Sequence, residues 1–316
     1  MSAAPLTGKV AVVTGATGGM GRVIALELAR AGAHVVTVAR TPTRADALRE
    51  QIAREVDREG LEVLHGDLSD RNGVLAAAGQ LTARYDAVHL LVNNAGAHFT
   101  DRRVNPDGIE MHIAVDYLAA YGMMTLLEPA LRKGRARVVN VVSDSLRDTR
   151  QIALLGRSRP ATVNPAQLDD LTKLNPADGF VPFQAYARAK LLTVMAGYHL
   201  ARTLADDGVT VNAVHPGIVA TDIIDDVIPA LLRPFGGLIR QAMLAPEQGA
   251  APALHLATDP ALDHTTGTYF VRDVEKPTPP LSYDTTLQTR LVDSSSRFFS
   301  SSWSDAPDRA TDTSGA

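Results

Sequence analysis

Three side chains have the types and the order needed to move a proton at a carbonyl oxygen. Tyr186 and Lys190 lie four residues apart in the segment AYARAK, and Ser143 ends the apolar segment RVVNVVS. A phenol has an unperturbed pKa of about 10, and a neighbouring ammonium lowers it because it favours the phenolate. Positions i and i+4 of a helix share one face, so Lys190 can reach the space beside Tyr186. Ser143 can hold the substrate oxygen, and what remains to be found is a hydride carrier.

A glycine-rich turn near the N-terminus predicts a dinucleotide site that would supply this carrier. The run Thr14–Gly21 follows a short apolar segment and opens a helical pattern. Glycine permits a tight turn and a close approach of the backbone to a pyrophosphate, and the start of a helix offers free N–H groups. We assign cofactor contacts in this turn to Gly15, Thr17, Gly19, Met20 and Gly21.

The end of the second apolar segment bears on which dinucleotide is bound. NAD sites usually place an acid there to hold the ribose hydroxyls, whereas an arginine suits the 2′-phosphate of NADP. Here the acid is missing and Arg40 is present, so we expect NADP(H) in preference to NAD(H). The alternative is that Arg40 is an ordinary solvated arginine. Asp67, followed by Leu68, is placed to meet the adenine end, although a turn aspartate fits that position almost equally well.

Short apolar segments alternate with helical patterns along most of the chain. The predicted strands are Val10–Val13, Ala33–Ala39, Leu61–His65, Ala87–Val92, Ala136–Val142 and Val209–Val214. The predicted helices are Arg22–Ala31, Thr43–Glu59, Asn72–Arg84, Gly108–Leu131 and Phe183–Asp206. This alternation predicts an α/β fold with a Rossmann-type, doubly wound parallel sheet. We expect one domain over residues 1–293 and a flexible Ser-, Asp- and Thr-rich tail over residues 294–316.

Two long segments interrupt this alternation and are the expected substrate loops. Leu146–Pro182 and Asp222–Pro246 both leave the carboxyl ends of predicted strands, where open α/β sheets bind ligands. We expect the substrate pocket to be built by Ala97–Arg103, Leu146–Phe183 and Ile218–Met243. These segments contain many apolar side chains, and a mostly apolar pocket suits a lipophilic carbonyl or alcohol. The alternative is that these side chains only cover the core.

Composition excludes several other classes of function. The 316 residues carry a formal net charge of −4 without a basic block, so we expect no nucleic-acid partner. The absence of cysteine excludes disulfides and thiolate chemistry, and the histidines lack metal-ligand spacing, so no metal is expected. We find neither a signal peptide nor an apolar run long enough for a membrane span, and we therefore expect a cytoplasmic protein.

Five motifs, in the right order, resemble the short-chain dehydrogenase/reductase family. Thr14–Gly21 resembles its TGxxxGxG turn, and Asn93-Asn94-Ala95-Gly96 resembles its NNAG motif. Ser143, Tyr186 and Lys190 match the catalytic serine and the YxxxK pair, and Pro216-Gly217 with Thr221 matches the PG motif and a nicotinamide-contacting threonine. Gly267-Thr268-Tyr269-Phe270 and the long segment before Tyr186 are similar to the retinol-dehydrogenase-like branch.

The resemblance implies a reaction and a set of residues. NADPH would deliver hydride to a carbonyl carbon while Tyr186 gives its proton to the oxygen as general acid. Lys190 would lower the tyrosine pKa and hold the nicotinamide ribose, and Ser143 would donate to the carbonyl oxygen. Further implied cofactor contacts are Asn94, Ala95, Gly96, Tyr186, Lys190, Pro216, Gly217, Val219 and Thr221. Family members often form dimers or tetramers through two long helices, here Gly108–Leu131 and Phe183–Asp206, unless the C-terminal extension blocks that interface.

One position departs from the family pattern, and other points stay open. The long helix usually carries an asparagine that keeps a kink and a water connected to the lysine, and this chain has Asp116 there. Asp116 is nearly isosteric and can serve that water or pair with Lys190, or it can signal altered chemistry. Ser145 is the alternative to Ser143, and His98 is a second candidate to face the site. The alternative function is a cofactor-binding sensor or scaffold, or an epimerase or dehydratase.

Overall fold

The computed structural model describes residues 5–56, 60–150, 157–219 and 243–300, which form an eight-stranded sheet in the order β3-β2-β1-β4-β5-β6-β7-β8. All neighbouring strands are parallel except β7 and β8. The strands are β1 Val10–Thr14, β2 His34–Ala39, β3 Leu61–His65, β4 Leu90–Asn93, β5 Arg137–Val141, β6 Thr210–His215, β7 Tyr269–Val271 and β8 Val274–Glu275. The predicted doubly wound sheet is confirmed, and the sequence missed only the two short strands at its edge.

The strand order reverses between β1 and β4, and this opens the crevice where such sheets bind ligands. After β1 the chain first builds outward through β2 and β3, then returns to place β4 on the other side of β1. The loops that follow β1 and β4 therefore meet at the carboxyl edge of the sheet. These loops begin with Gly15 and Asn94, and Ser143 and Pro216 follow β5 and β6 along the same edge.

Eight α-helices of the described chain cover both faces of the sheet. They are α1 Gly19–Arg30, α2 Pro42–Val56, α3 Arg71–Arg84, α4 Ala119–Leu126, α5 Glu128–Gly134, α6 Pro182–Thr203, α7 Pro246–Thr258 and α8 Thr285–Phe299. Side chains alternate between the faces of a strand, so Ala11 and Val13 belong to the core under α1 and α7, while Val12 belongs to the core on the other side. Both faces are apolar, which explains the continuous apolar runs in the sequence.

The predicted long helix Gly108–Leu131 is wrong as a single element. Its first part is a π-helical turn, Ile113–Leu118, which leads into α4, and a break at Leu127 separates α4 from α5. Pro129 accounts for the break, because proline has no N–H to donate and its ring clashes with the carbonyl four residues earlier. The π turn widens the helix at Asp116, which becomes important for the site.

The C-terminal helix α8 extends past the predicted domain boundary at residue 294. It runs to Phe299 and buries Ser294 and Ser295, so residues 294–299 belong to the folded body rather than to a tail. Tyr117 shares a hydrogen bond with the Ser295 hydroxyl at 2.6 Å, and the Arg71 Nε donates to the Phe298 carbonyl at 2.6 Å. The rest of the predicted tail, residues 301–316, lies outside the described residues.

Both predicted substrate loops are described in part. Residues 157–181 of the first loop are described, and its part 165–169 contacts α8, where the Ser294 hydroxyl donates to the Leu168 carbonyl at 2.5 Å. Residues 151–156 of that loop and residues 220–242 of the second lie outside the described residues. The two ends of the second loop meet in a parallel bridge between Val219 and Leu244, and the Leu244 N–H donates to the Ile218 carbonyl at 2.9 Å.

Candidate functional site

The structure brings Ser143, Tyr186 and Lys190 together at the carboxyl edge of the sheet. Tyr186 and Lys190 lie one turn apart on α6, and the Lys190 Nζ is 5.6 Å from the centre of the Tyr186 ring. Ser143 follows β5, and its hydroxyl lies close enough to the Tyr186 phenol to lower the pKa of that phenol. Ser145 is buried, and its N–H donates to the Ser143 hydroxyl at 3.3 Å. Of the two serines considered, Ser143 is the one that adjoins the phenol.

Burial and charge act in opposite directions on the Tyr186 phenol. Burial raises its pKa, Lys190 lowers it, Asp116 raises it, and the nearby Ser143 hydroxyl lowers it, so that the pKa lies above the ordinary value of 10.0. The expected lowering by Lys190 is therefore present as one contribution and is outweighed. A phenol in this state is protonated at neutral pH, which is the form that a general acid requires.

Asp116 is ion-paired with Lys190 inside the protein. Its Oδ1 lies 3.1 Å from the Lys190 Nζ and also accepts the Ala97 N–H at 3.1 Å. The Lys190 ammonium in addition donates to the Val141 carbonyl at 3.3 Å. Asp116 lies in the π turn, which frees its own carbonyl to accept the Thr193 hydroxyl at 2.8 Å on α6. This turn therefore fixes the carboxylate beside the lysine.

The charges of this buried pair follow from its contacts. Burial raises the pKa of Asp116, against Lys190, which lowers it. Burial lowers the pKa of Lys190, but Asp116 and Tyr186 raise it further, so it stays above its ordinary 10.5. Burial thus favours the neutral form of each group, whereas each group favours the charged form of the other. A protonated Asp116 would no longer stabilise the lysine charge. Two N–H donors to one carboxylate oxygen favour the ion pair, and we assign Asp116 as a carboxylate. Its Oδ2 is buried without a hydrogen-bond partner among the described residues.

The glycine-rich turn has the shape of a pyrophosphate cradle. Gly15 and Gly19 have φ angles of 68° and 51°, which favour glycine, and a Cβ on Gly21 would lie 2.2 Å from the Gly15 carbonyl oxygen. Helix α1 begins without a side-chain hydrogen bond to its first N–H groups, which remain available to an anion. The turn also places Thr17 and Met20 on this edge of the sheet. These residues fit a dinucleotide.

The NNAG segment braces the two halves of the crevice. The Asn94 side chain donates to the carbonyls of Thr14 and Gly15 at 3.0 and 3.2 Å, and the Ala95 N–H donates to the Thr14 hydroxyl at 3.0 Å. Asn94 thereby joins the turn after β4 to the cradle after β1. A Cβ on Gly96 would lie 2.8 Å from the Asp116 Oδ1 and 3.1 Å from the Lys190 Nζ, so only glycine leaves this space open.

The remaining predicted cofactor residues that the structure describes lie on the same edge. Arg40 follows β2 with 71% of its side chain exposed, and its Nη1 is 3.9 Å from the Asp67 Oδ2. Leu68 is buried behind Asp67. Gly217 follows Pro216 with a φ of 98°, which favours glycine, and Val219 is buried. Thr221 lies outside the described residues.

Two residues near Tyr186 were missed by sequence reasoning. The buried His112 ring lies 6.2 Å from the Tyr186 ring, and its Nδ1 is 2.8 Å from the buried Glu110 Oε1. A Glu and a His two residues apart match no catalytic spacing, so only the fold reveals them. The His98 ring, which was left open as a candidate, packs edge-on at 5.8 Å from the Tyr186 ring.

Comparison with known proteins gives the family. The profile of the short chain dehydrogenases matches residues 9–151. The chain is 31% identical over 296 residues to the polyprenol dehydrogenase of Homo sapiens, covering 91% of this chain and 84% of that protein. It is 30% identical over 298 residues to retinol dehydrogenase 14 of Mus musculus, with coverages of 90% and 84%.

Solved structures agree with the sequence relatives. A protein of Beutenbergia cavernae, described as a putative NAD(P) dependent gluconate 5-dehydrogenase with bound NADP, superposes with a TM-score of 0.61 at 28% identity, covering 85% of this chain and 97% of that one. A putative short-chain dehydrogenase/reductase of Burkholderia xenovorans gives a TM-score of 0.63 at 27% identity, with coverages of 85% and 96%. Within the described residues, no helix has the length and apolarity needed to cross a bilayer. The chain belongs to the short-chain dehydrogenase/reductase family, in its retinol-dehydrogenase-like branch, whose members are oxidoreductases that use a nicotinamide cofactor.

Proposed function

We propose that this protein is an NADP(H)-dependent oxidoreductase that interconverts a carbonyl and an alcohol on a lipophilic small molecule, with Tyr186 as general acid and base. One observation carries the proposal: the Ser143 hydroxyl and the Lys190 ammonium both adjoin Tyr186 and lower the pKa of its phenol, at the sheet edge that also holds the glycine cradle. A ketone or aldehyde placed at Ser143 would meet the phenol proton directly.

Tyr186, Ser143 and Lys190 each have a separate role in the proposed acid–base catalysis. The bound nicotinamide supplies or accepts the hydride. Tyr186 donates its proton to the substrate oxygen as negative charge develops there, and it takes a proton back when an alcohol is oxidised. Ser143 donates a hydrogen bond to the same oxygen, which stabilises that charge. Lys190 supplies a positive charge 5.6 Å from the phenol ring and so stabilises the phenolate that proton transfer leaves behind.

A variant of Tyr186 tests the general acid. We expect Tyr186→Phe to lower kcat by at least 100-fold with little change in NADPH affinity, because proton transfer is worth about 10²–10⁴-fold. Tyr198→Phe is the matched control, since Tyr198 lies on the same helix and shares its hydroxyl hydrogen bond with Thr278 at 3.0 Å. NADPH consumption with a panel of lipophilic ketones and aldehydes is the assay. Full activity of Tyr186→Phe would refute the proposed role.

The preference for NADP(H) is supported by Arg40. Its guanidinium is largely exposed at the end of β2, where it can meet a 2′-phosphate, and the similar protein of Beutenbergia cavernae has NADP bound. We expect Arg40→Ala to weaken NADPH binding about 10-fold or more and to leave NADH binding nearly unchanged, since a charge-assisted bond is worth about 1.5–3 kcal/mol. Arg49→Ala on α2, whose partner is Asp46, is the control. Tighter binding of NADH than NADPH by the wild type contradicts the preference.

The lipophilic substrate is supported by the relatives. Polyprenol and retinol, named in the proteins to which this chain is similar, are both long apolar alcohols. The described substrate loop contributes apolar side chains at the site, including Phe180, whose ring lies 6.3 Å from the His112 ring. Turnover that rises with the apolar chain length of the substrate would support this class, and a preference for short polar carbonyls would count against it.

The ion pair of Asp116 motivates a second candidate, a cofactor-binding protein with slow or altered catalysis. The carboxylate occupies the family asparagine position and raises the pKa of Tyr186, which disfavours the phenolate needed for alcohol oxidation. A wild type that binds NADPH but turns over no carbonyl, together with activity gained in Asp116→Asn, would favour this candidate. Strong wild-type activity would exclude it.

Assembly and location also belong to the proposal. Helix α8 packs on α6 and contacts the segment that leads into α4, so it occupies part of the face through which related proteins often pair. We propose that any homodimer or homotetramer must accommodate α8, and light scattering of the purified chain tests its mass. We also propose a cytoplasmic location, which cell fractionation tests.

A further inference from the structure

Glu110 and His112 form a buried polar pair beside the candidate site. Both side chains have 0% exposure, and the Glu110 Oε1 lies 2.8 Å from the His112 Nδ1. The second carboxylate oxygen accepts the His112 backbone N–H at 3.1 Å and the Asn175 Nδ2 at 2.7 Å. Polar groups buried at such cost need a full set of partners, and this pair has them.

The contacts of His112 fix which ring nitrogen carries the proton. The Phe99 backbone N–H donates to the His112 Nε2 at 3.0 Å, so Nε2 must offer a lone pair. A neutral imidazole then carries its proton on Nδ1 and donates it to Glu110. Both ring nitrogens are thus committed, and His112 holds a backbone group in place instead of exchanging a proton with substrate.

The group that His112 holds belongs to the loop after the NNAG segment. This loop is fastened at two backbone N–H groups, since Ala97 donates to Asp116 and Phe99 donates to His112. The residue between the two fastened groups is His98, which is buried and whose ring packs edge-on against Tyr186. The position of His98 against the phenol therefore depends on both contacts.

The same pair connects the substrate loop with the tyrosine helix. Asn175, in the substrate loop, donates from its Nδ2 both to Glu110 and to the Ala185 carbonyl at 3.3 Å, one residue before Tyr186. Arg188 donates to the Asn175 Oδ1 from the next turn of α6. One hydrogen-bond network thus joins Glu110, through Asn175, to the Ala185 carbonyl before Tyr186 and to the Arg188 side chain after it.

We propose that His112, kept in its Nδ1–H form by Glu110, is a positioning residue that fastens the loop 97–99 and thereby sets His98 as the wall of the substrate pocket over Tyr186. The inference rests on the proposed function for its effect on turnover. Its structural part, the Nδ1–H form and the fastened loop, stands independently of turnover.

Two substitutions at one position separate the two hydrogen bonds of His112. His112→Gln reaches the Phe99 N–H with its side-chain oxygen but loses the Nδ1 donor, whereas His112→Asn can still donate to Glu110 but is too short for Phe99. We expect kcat to fall about 10–100-fold in His112→Asn and less in His112→Gln, with NADPH affinity unchanged, because misplacing a reacting group is what lowers kcat. His255→Gln is the control, since His255 pairs with Asp259 on an exposed helix end.

A second measurement reads the imidazole directly. Nitrogen-15 NMR of the wild type at pH 7 should show His112 protonated on Nδ1 and unprotonated on Nε2, and Glu110→Gln should disturb that state while keeping the size of the side chain. An Nε2–H form of His112, or equal kcat in the wild type and both His112 variants, would overturn the proposal. If the wild type itself turns over no carbonyl, the proposed function fails, and the NMR result still decides the positioning role. If the His112 variants do not fold, the wild-type spectrum and Glu110→Gln decide it.

Discussion

The ion pair between Asp116 and Lys190 predicts a strong and non-additive effect on stability. The Asp116 and Lys190 side chains are 0% and 5% exposed, so their charges are hardly screened by solvent. Lys190→Met removes the ammonium and leaves the Asp116 Oδ1 with the Ala97 N–H alone, while the Oδ2 has no partner among the described residues. Removing one partner of a buried pair costs about 3–5 kcal/mol, because an uncompensated charge stays inside.

The other two proteins of this double-mutant cycle are Asp116→Asn and the double variant. The double variant should lose less stability than the sum of the two single losses. Asp116→Asn retains an oxygen that accepts from Lys190 and Ala97, and Lys190 keeps the Val141 carbonyl, so we expect a loss of about 1 kcal/mol from replacing charged by neutral hydrogen bonds. In the double variant no buried charge remains. We therefore expect the double variant to be about 2 kcal/mol more stable than the sum of the single losses predicts.

Urea and thermal unfolding of the four proteins at pH 7 measure this coupling. With about 2.1 cal/mol/K of unfolding entropy per residue over 316 residues, 1 kcal/mol corresponds to about 1.5 °C in Tm, so Lys190→Met should melt about 5–8 °C below the wild type. Additive losses within about 0.5 kcal/mol would refute the buried ion pair. A loss below 1 kcal/mol in Lys190→Met would refute it as well.

Three further outcomes follow from the structure. Burial raises the pKa of Glu110, but hydrogen bonds from its neighbours have the larger effect and hold the pKa below its ordinary 4.5. The stabilisation by the Glu110 carboxylate is therefore present above pH 4.5 and is lost as pH falls through the folded pKa. Glu110→Gln should accordingly flatten the acid side of a Tm-against-pH curve. Gly96→Ala should abolish turnover, since its Cβ would lie 2.8 Å from the carboxylate of the ion pair, whereas Gly79→Ala, with nothing within 4 Å, should add about 0.5–1 kcal/mol of stability by denaturant unfolding. Tyr117→Phe removes the bond to Ser295 and should cost about 1 kcal/mol in the same assay, and an unchanged midpoint would contradict that packing of α8.

The parallel sheet was predictable because each of its main strands is a short apolar run that is recognisable in the sequence. Runs such as Val10–Val13 are apolar on both faces, and glycines mark the turns that follow them. The order of Ser143, the insertion and the Tyr186 helix likewise predicted which side chains lie together at the centre of the candidate site. These signals are local in sequence, and local signals are what a sequence shows without its fold.

The features that were not predicted depend on contacts between residues that are far apart in the sequence. The apolar pattern of residues 108–131 fits a helix, but the π turn at Asp116 leaves a carbonyl that accepts the Thr193 hydroxyl of a distant helix, and no pattern in that segment reveals this contact. Helix α8 was hidden by its serines, which look disordered by composition yet find partners such as Tyr117 once buried. Glu110 and His112 acquire their roles only through Phe99 and Asn175, which lie outside the segment 110–112.

The bridge between Val219 and Leu244 has a consequence for how this enzyme family can diversify. Because the two ends of the intervening segment are fastened to each other beside the sheet, a replacement of different length starts and ends at the same points. The entropic cost of closing a loop rises by only about 0.6 kcal/mol for each doubling of its length. The fold should therefore tolerate segments of different length between these two residues. A segment of another length can therefore be exchanged between Val219 and Leu244 without displacing α6, which carries Tyr186 and Lys190.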